Sequence, residues 1–376
     1  MNKNITWLTT IYLILVSFGM LVLLSASSSE NVADSSYFVK RQVIWIIISV
    51  TLVFFTAKLD YRILNKYSIL LSIISIILLV LVLIPGIGKM VNGSWRWIQI
   101  GSMTIQPSEF AKPIFIILLS WWLSRNIIRI EYFRYGILIP LLLLLLFILP
   151  ILLEPDFGTT LLFFSVGIIL IFISGSKIKP LFFLGTIGIF FVGILILNNP
   201  ERMSRILAFL NPEAYQSGAG YQLTNSLRAF ASGGLYGVGF GNSFQKFDYL
   251  PEAHTDFIFP IIGEEFGLIV SLIVIVLYIS LFVIGMNIGS KAQDDFGRLL
   301  GYGITLMITT QSLINFFVVT GWAPTKGLAL PFISYGGSSI LSSSIMIGIL
   351  LSIAIDIEQG VKFKKRHLFK DRKRKI

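Results

Sequence analysis

The sequence has no cysteine and only two histidines, His254 and His367, among 376 residues. Disulfides, thiolate nucleophiles and cysteine-based metal sites are excluded, and so is a histidine metal cluster. Charge is scarce as well: 13% of the residues are charged, and only 19 are acidic. In their place stand apolar residues, 55% of the chain, with a mean hydropathy of +0.84, too apolar for a water-soluble domain of this length. Stretches such as 69–85 and 137–153 are nearly pure leucine and isoleucine, which makes lipid their expected solvent. There is no solenoid-type repeat, no coiled-coil heptad pattern and no separate soluble segment. A net charge of +11 would suggest nucleic acid in a soluble protein, but nine of the 30 Lys and Arg lie at 362–375. That run reads as a membrane-surface flank, and nucleic acid is not an expected partner.

Hydropathy places ten candidate spans, at 5–26, 42–57, 68–88, 109–124, 135–153, 158–175, 180–198, 257–288, 299–320 and 338–357. Most are near the length of about 20 residues that crosses the hydrocarbon, so the expected fold class is an all-α polytopic integral membrane protein. The first apolar run is long and leads into more membrane, and it reads as a retained anchor. With the N-terminus inside, the inner segments hold 20 Lys and Arg and the four short outer loops hold five, which places both termini in the cytoplasm. The expected organisation is a single membrane domain over 1–357, with a long outer loop at 199–256, and a basic cytoplasmic tail at 358–376. The long loop is the first place to look for function.

The outer segments hold more of the acids, prolines and glycines than the inner loops do. In Gln106-Pro-Ser-Glu-Phe-Ala-Lys-Pro113, Pro107 suits a first helical turn, and Glu109 and Lys112 share one face, as a neutralising ion pair or as the lining of a polar site. Pro113 has no N–H, so the Glu109 carbonyl loses its helical partner, and a polar cavity is expected beside it. Upstream, Trp95 and Trp97 of Asn92-Gly-Ser-Trp-Arg-Trp97 are interfacial anchors or site residues. In Glu154-Pro-Asp156, the aspartate is a plain N-cap or an acid aimed into a central cavity. The long loop carries Arg202, Arg205 and the run Gly233-Gly-Leu-Tyr-Gly-Val-Gly-Phe-Gly-Asn242. No βαβ unit surrounds these glycines, so they are not a dinucleotide fingerprint; they let the backbone approach a ligand or bend sharply. Asp256 closes the loop at the positive end of the next helix, as a cap or as a base whose basicity that end lowers. Pro260 frees its carbonyl. Glu264 and Glu265 follow inside the span, where an acid is a functional candidate. Lys326 is an outer cation able to hold a phosphate or to snorkel to a headgroup, and residues 335–339, Ser338 among them, offer hydroxyl and backbone donors.

Five segments resemble, in kind and order, the motifs of the SEDS family, that of FtsW, RodA and SpoVE. They are Gln106-Pro-Ser-Glu-Phe-Ala-Lys112, Glu154-Pro-Asp-Phe-Gly-Thr159, Gly220-Tyr-Gln-Leu-Thr-Asn-Ser226, Leu250-Pro-Glu-Ala-His-Thr-Asp-Phe-Ile-Phe259 and Leu330-Pro-Phe-Ile-Ser-Tyr-Gly-Gly-Ser-Ser339. Lys246-Phe-Asp-Tyr-Leu-Pro-Glu-Ala-His-Thr-Asp256 and Pro324-Thr-Lys-Gly327 resemble its division branch. The resemblance implies a ten-helix fold and a peptidoglycan glycosyltransferase that polymerises lipid II on the outer face of the bacterial cytoplasmic membrane, at the division septum. Implied partners are lipid II, a class B penicillin-binding protein supplying the transpeptidase, other divisome membrane proteins and membrane lipid. Carried over by motif, Asp256 matches the family's essential loop aspartate, and Trp97 its essential loop tryptophan. Glu109, Lys112, Asp156 and Lys326 match polar residues facing a central cavity. Asp256 is thus the expected catalytic base, and His254, Ser338, Arg202 and Arg205 join the expected substrate contacts. A divalent cation, Mg2+ or Mn2+, is the expected cofactor, with Asp156 and Glu109 as candidate ligands, and no organic cofactor is expected. Two rival classes fit the same helices: a flippase or other transporter of lipid-linked sugars, and a noncatalytic scaffold for the transpeptidase.

Overall fold

The structure, a computed structural model, describes residues 3–27, 37–91, 94–101, 103–215, 218, 220–247 and 250–373. Asn92 and Gly93 of the tryptophan segment, Asp248 and Tyr249 of the long loop, and the last three residues of the tail lie outside the described residues. The helices in chain order are α1 (Lys3–Ala26), α2 (Tyr37–Lys58), α3 (Arg62–Leu81), α4 (Pro107–Arg125), α5 (Ile139–Leu153), α6 (Phe157–Ile173), α7 (Ile178–Leu197), α8 (Pro200–Leu210), α9 (Tyr221–Gly233), α10 (Ile258–Ser290), α11 (Asp295–Val319) and α12 (Gly337–Lys373). Among the described residues, α1, α2, α3, α5 with the turn before it, α10, α11 and α12 are long and apolar enough to cross a membrane. At the other three expected places stand α6 and the start of α7, which are shorter and apolar, and the 19-residue α4. The chain is an all-α polytopic membrane protein.

Burial separates the helices into a centre and a lipid-facing rim. Only 17% and 22% of the apolar stretches of α2 and α3 are covered, against 67% and 78% in α11 and α12. Lipid is left to cover the rim, whereas α11 packs along α10 and α12 along α2. The expected polar cavity beside Pro113 is replaced by something smaller. Ser342 Oγ of α12 donates to the Glu109 carbonyl at 2.7 Å, so a hydroxyl on the adjacent helix satisfies the group that proline orphaned.

Two segments take shapes that hydropathy does not reveal. The stretch before α4 is a three-stranded antiparallel sheet of β1 (Gly88–Val91), β2 (Ser94–Ile100) and β3 (Met103–Ile105). Trp, Ile, Val and Thr favour a pleated strand, and hairpin pairing satisfies this backbone outside the hydrocarbon. The second is a break in α10 at Gly267, whose φ of 78° ends a short half-helix at 258–266. The glycine-rich run replaces the lost turn. Val238 and Gly239 N–H donate to the carbonyls of Glu264 and Glu265, and Leu268 and Ile269 N–H donate to those of Gly234 and Leu235. A Cβ on Gly237 would lie 2.2 Å from the Glu265 carbonyl oxygen, so only glycine admits this approach. Of the two expected uses of these glycines, the sharp bend is present, with positive φ at Gly234, Gly237, Gly239 and Gly241, and the close approach is to α10 and not to a ligand.

Candidate active site

Asp256 stands two residues before α10, and the three carbonyls around it are each held by another element. Tyr335 N–H donates to the His254 carbonyl at 2.9 Å, Ser334 Oγ to Thr255 at 2.6 Å and Asn315 Nδ2 to Asp256 at 2.8 Å. The last is the carbonyl that Pro260 deprives of a helical partner. Asn315 Nδ2 also donates to the Leu328 carbonyl at 2.7 Å, which ties the aspartate segment to the loop bearing Lys326. The carboxylate lies against that loop: a Cβ on Gly327 would fall 2.5 Å from Asp256 Oδ2. No side chain caps the start of α10, so the capping role is not the one Asp256 takes. Desolvation, joined by the carboxylates of Glu252, Asp156 and Glu109 and opposed by Arg96, pushes Asp256 up to about 7. This reverses the expectation that the helix end lowers its basicity.

On the loop beside Asp256, Lys326 is in electrostatic reach of Asp156, Arg205 and Arg202. Asp156 is the N-cap of α6, with Oδ1 accepting from Thr159 N–H (3.1 Å) and Oδ2 from Thr159 Oγ1 (2.8 Å). Burial holds Lys326 below the usual ammonium range; Asp156 opposes that shift, and Arg205 and Arg202 reinforce it. The Arg202 guanidinium lies 3.7 Å over the Phe157 ring, and Lys326 Nζ is 5.9 Å from the same ring. Arg96 grips the turn before α6 by its backbone, with Nε donating to the Glu154 carbonyl (3.2 Å) and Nη2 to Pro155 (2.8 Å). The Glu154 side chain is fully covered, and neither carboxyl oxygen has a hydrogen-bond partner. Burial and then Asp156 push it up to about 9, only partly offset by Arg96, so it is a neutral acid at pH 7.

Deeper in the bundle, Lys112 Nζ pairs with Glu109 Oε1 at 2.6 Å and donates to Gln311 Oε1 at 2.9 Å, while Gln311 Nε2 donates to the Ala329 carbonyl. This is the neutralising ion pair, buried between α4 and α11. Ser338 Oγ accepts the N–H of Gln106 at 3.0 Å and so holds the start of α4. Trp97 is in β2, opposite Lys89, and the His254 ring packs 4.8 Å from Phe38. The structure therefore brings Asp156 and Glu109 into electrostatic reach of Asp256 and sets Asp156, Arg202 and Arg205 around Lys326, while Ser338 holds the start of α4 and His254 packs on Phe38. An apolar groove of about 220 Å³ between α2, α3, α4 and α12, lined by Leu64, Phe110 and Ile349 among others, contains none of this cluster.

Residues 6–359 match the model of a family of cell cycle proteins, FtsW/RodA/SpoVE. The chain belongs to this family. It is 42% identical over 348 residues to a probable peptidoglycan glycosyltransferase FtsW of Trichlorobacter lovleyi, covering 92% of this chain and 91% of that one. It is also 42% identical over 351 residues to stage V sporulation protein E of Bacillus subtilis, covering 92% and 96%. Among solved structures, a chain from a peptidoglycan synthase complex that coordinates polymerization and crosslinking superposes with a TM-score of 0.77 at 25% identity, covering 94% of this chain and 98% of that one. The rod shape determining protein RodA of Thermus thermophilus superposes with 0.69 at 26% identity, covering 92% and 95%. As a family member with seven long apolar helices among its described residues, the chain is a multi-pass membrane protein.

Sequence reasoning passed over Asn315 and Gln311, although a polar pair four residues apart in an apolar span is a signal in itself. It counted Arg96 only as charge. The candidate metal ligands do not make a protein cage: among the described residues no three His, Cys, Asp or Glu side chains converge. Asp156 is engaged by Thr159, and Glu109 Oε1 by Lys112.

Proposed function

We infer that the chain is a peptidoglycan glycosyltransferase that polymerises lipid II into β-1,4-linked glycan strands. The observation that carries this is the Asp256 carboxylate set against the loop of Lys326, whose ammonium neighbours Arg202 and Arg205, and desolvation pushes that carboxylate up to about 7. The names of the relatives at about 40% identity support the activity. The acceptor is the 4-hydroxyl of the N-acetylglucosamine on one lipid II, a weak nucleophile at neutral pH. Asp256 takes its proton as the oxygen attacks the anomeric carbon of the donor from the far side. The α-linked donor thereby becomes a β-linkage in one displacement, and undecaprenyl pyrophosphate leaves. Lys326, Arg202 and Arg205 offset the charge that develops on the departing pyrophosphate. Bound Mg2+ or Mn2+ would supply further charge neutralisation, although among the described residues no three His, Cys, Asp or Glu side chains form a cage for it.

The reaction belongs at the outer face of the bacterial cytoplasmic membrane, with both termini cytoplasmic, as the charge asymmetry of the loops supports. The FtsW relatives support a place at the division septum and in the company of other divisome membrane proteins. A class B penicillin-binding protein is the proposed partner, supported by the similar chain within a peptidoglycan synthase complex. Purified protein with labelled lipid II tests the reading. Polymer formation is expected; translocation without polymer would make the chain a flippase, and neither would leave it a scaffold.

A further inference from the structure

Lys246, Glu264 and Glu265 are buried, and the proposed mechanism uses none of them. Lys246 Nζ lies 3.1 Å from Glu265 Oε1, with both side chains wholly covered. The same Nζ donates to Ser25 Oγ near the end of α1 (2.8 Å) and to the Gly241 carbonyl (2.7 Å), and Ser25 Oγ donates to Glu265 at 2.5 Å. Glu264 accepts from Ser243 Oγ, from Ser232 Oγ at 3.1 Å, and from the N–H groups of Phe244 (3.1 Å) and Gln245 (3.2 Å). One carboxylate, Glu265, thus pairs with the ammonium, and hydroxyls and amides hold its neighbour Glu264.

Burying such a set is expensive, and apolar replacements of similar shape are often neutral or stabilising, so stability alone is a poor account of it. Specifying one arrangement of three pieces is a better one. The cluster joins the end of α1, the loop 233–246 and the half-helix 258–266. Because α10 breaks at Gly267, the membrane-spanning part of that helix does not by itself orient the half-helix. Its N-terminal approach, with Asp256, is held by Asn315, Ser334 and Tyr335, and its other end is held by the loop and the buried charges.

We propose that Lys246, Glu264 and Glu265 are positioning residues for Asp256: their buried cluster orients the half-helix 258–266 and thereby places the Asp256 carboxylate against the Lys326 loop. The activity part of this proposal rests on the glycosyltransferase reading. Misplacement of a reacting group by a fraction of an ångström lowers turnover and leaves substrate binding largely intact.

The test uses full-length Glu265→Gln, Lys246→Met and the double variant, each checked for monodispersity. Labelled lipid II gives kcat and KM, and amide hydrogen exchange is followed alongside. Each single variant is expected to lose about tenfold in kcat with KM changed less than about twofold. The double variant, which removes the buried cation and one carboxylate together, is expected to regain about threefold over Lys246→Met. Exchange should accelerate at Val238 and Gly239 and also at Tyr335, whose N–H is bonded to the His254 carbonyl. A folded single variant with wild-type kcat overturns the proposal, as does a loss confined to KM, or faster exchange at 238–239 with Tyr335 unchanged. If Lys246→Met does not fold, Glu265→Gln, which keeps the side-chain shape, decides alone. Should the wild-type chain make no polymer, the glycosyltransferase reading fails, and the exchange at Tyr335 still decides the positioning.

Discussion

At the scale of single residues, two raised carboxyl groups lead to opposite consequences. Asp256 must be ionised to accept a proton, and its pKa is pushed up to about 7. Below that pH the base is blocked, so kcat/KM for lipid II is expected to climb through pH 7 and level off above it. Asp256→Asn should keep the protein inserted and monodisperse while lowering polymerisation by about a hundredfold or more, as seen in a gel-resolved glycan assay. A variant that made long strands at a near-normal rate would remove Asp256 from the base role. Glu154 is instead held neutral, pushed up from 4.5 to about 9. In the unfolded chain it ionises near its ordinary value, so above about pH 4.5 the native state binds more protons than the unfolded state and stability falls as pH rises toward 9. Glu154→Gln should therefore melt higher than wild type at pH 8, with the difference closing as pH falls toward 4.5. An equal gap at both pH values in a detergent melt would contradict a neutral, unpaired Glu154.

At the scale of elements, α11 registers the parts of the site against each other. Gln311 and Asn315, one turn apart, hold the carbonyls of Ala329, Leu328 and Asp256. Asn315→Ala leaves the buried Leu328 carbonyl and the part-buried Asp256 carbonyl without this donor, at a cost of about 1–3 kcal/mol for each group that water does not reach. The expected result is a lower melting temperature together with a lower kcat in the fraction that remains folded. An unchanged melt would mean that the Asp256 segment is held adequately without α11. How much of this was legible depends on the range of each interaction. The Glu109 and Lys112 pair, three residues apart on one turn, was readable from spacing, and so was the Asp156 cap at a helix start. The sheet at 88–105 and the break at Gly267 were not, because hydropathy reports burial in lipid and says little about how outer backbone pairs. The glycine-rich run, similarly, needed its packing partner to be known before its purpose could be read.

At the scale of the whole molecule, the proposed orientation puts charge and chemistry at opposite ends. The inner segments hold 20 Lys and Arg, nine of them at 362–375, while Asp256, Asp156 and Lys326 belong to the loops assigned to the outside. Removal of residues 362–376 is expected to leave lipid II polymerisation by inserted protein within about twofold of wild type, since the tail is expected to act on topology and on membrane or partner contact. A folded, inserted truncation that lost its activity would instead give the tail a part in turnover.

The sequence by itself determined that the chain lives in a bilayer and where most spans begin and end, and its resemblance to a known family pointed to the acid to suspect as the base. Hydropathy, composition and short spacings are local properties that a linear string carries in full. Only the tertiary structure decided the protonation of that acid and of Glu154, the donors that replace what Pro113 and Pro260 remove, and the neighbours of Lys326. Asn315 reaches Asp256 across 59 residues of chain, and Ser342 reaches Glu109 across 233. Desolvation and hydrogen-bond partners are set by whatever the fold brings alongside, and those neighbours are too far apart in the chain for any spacing rule to pair them.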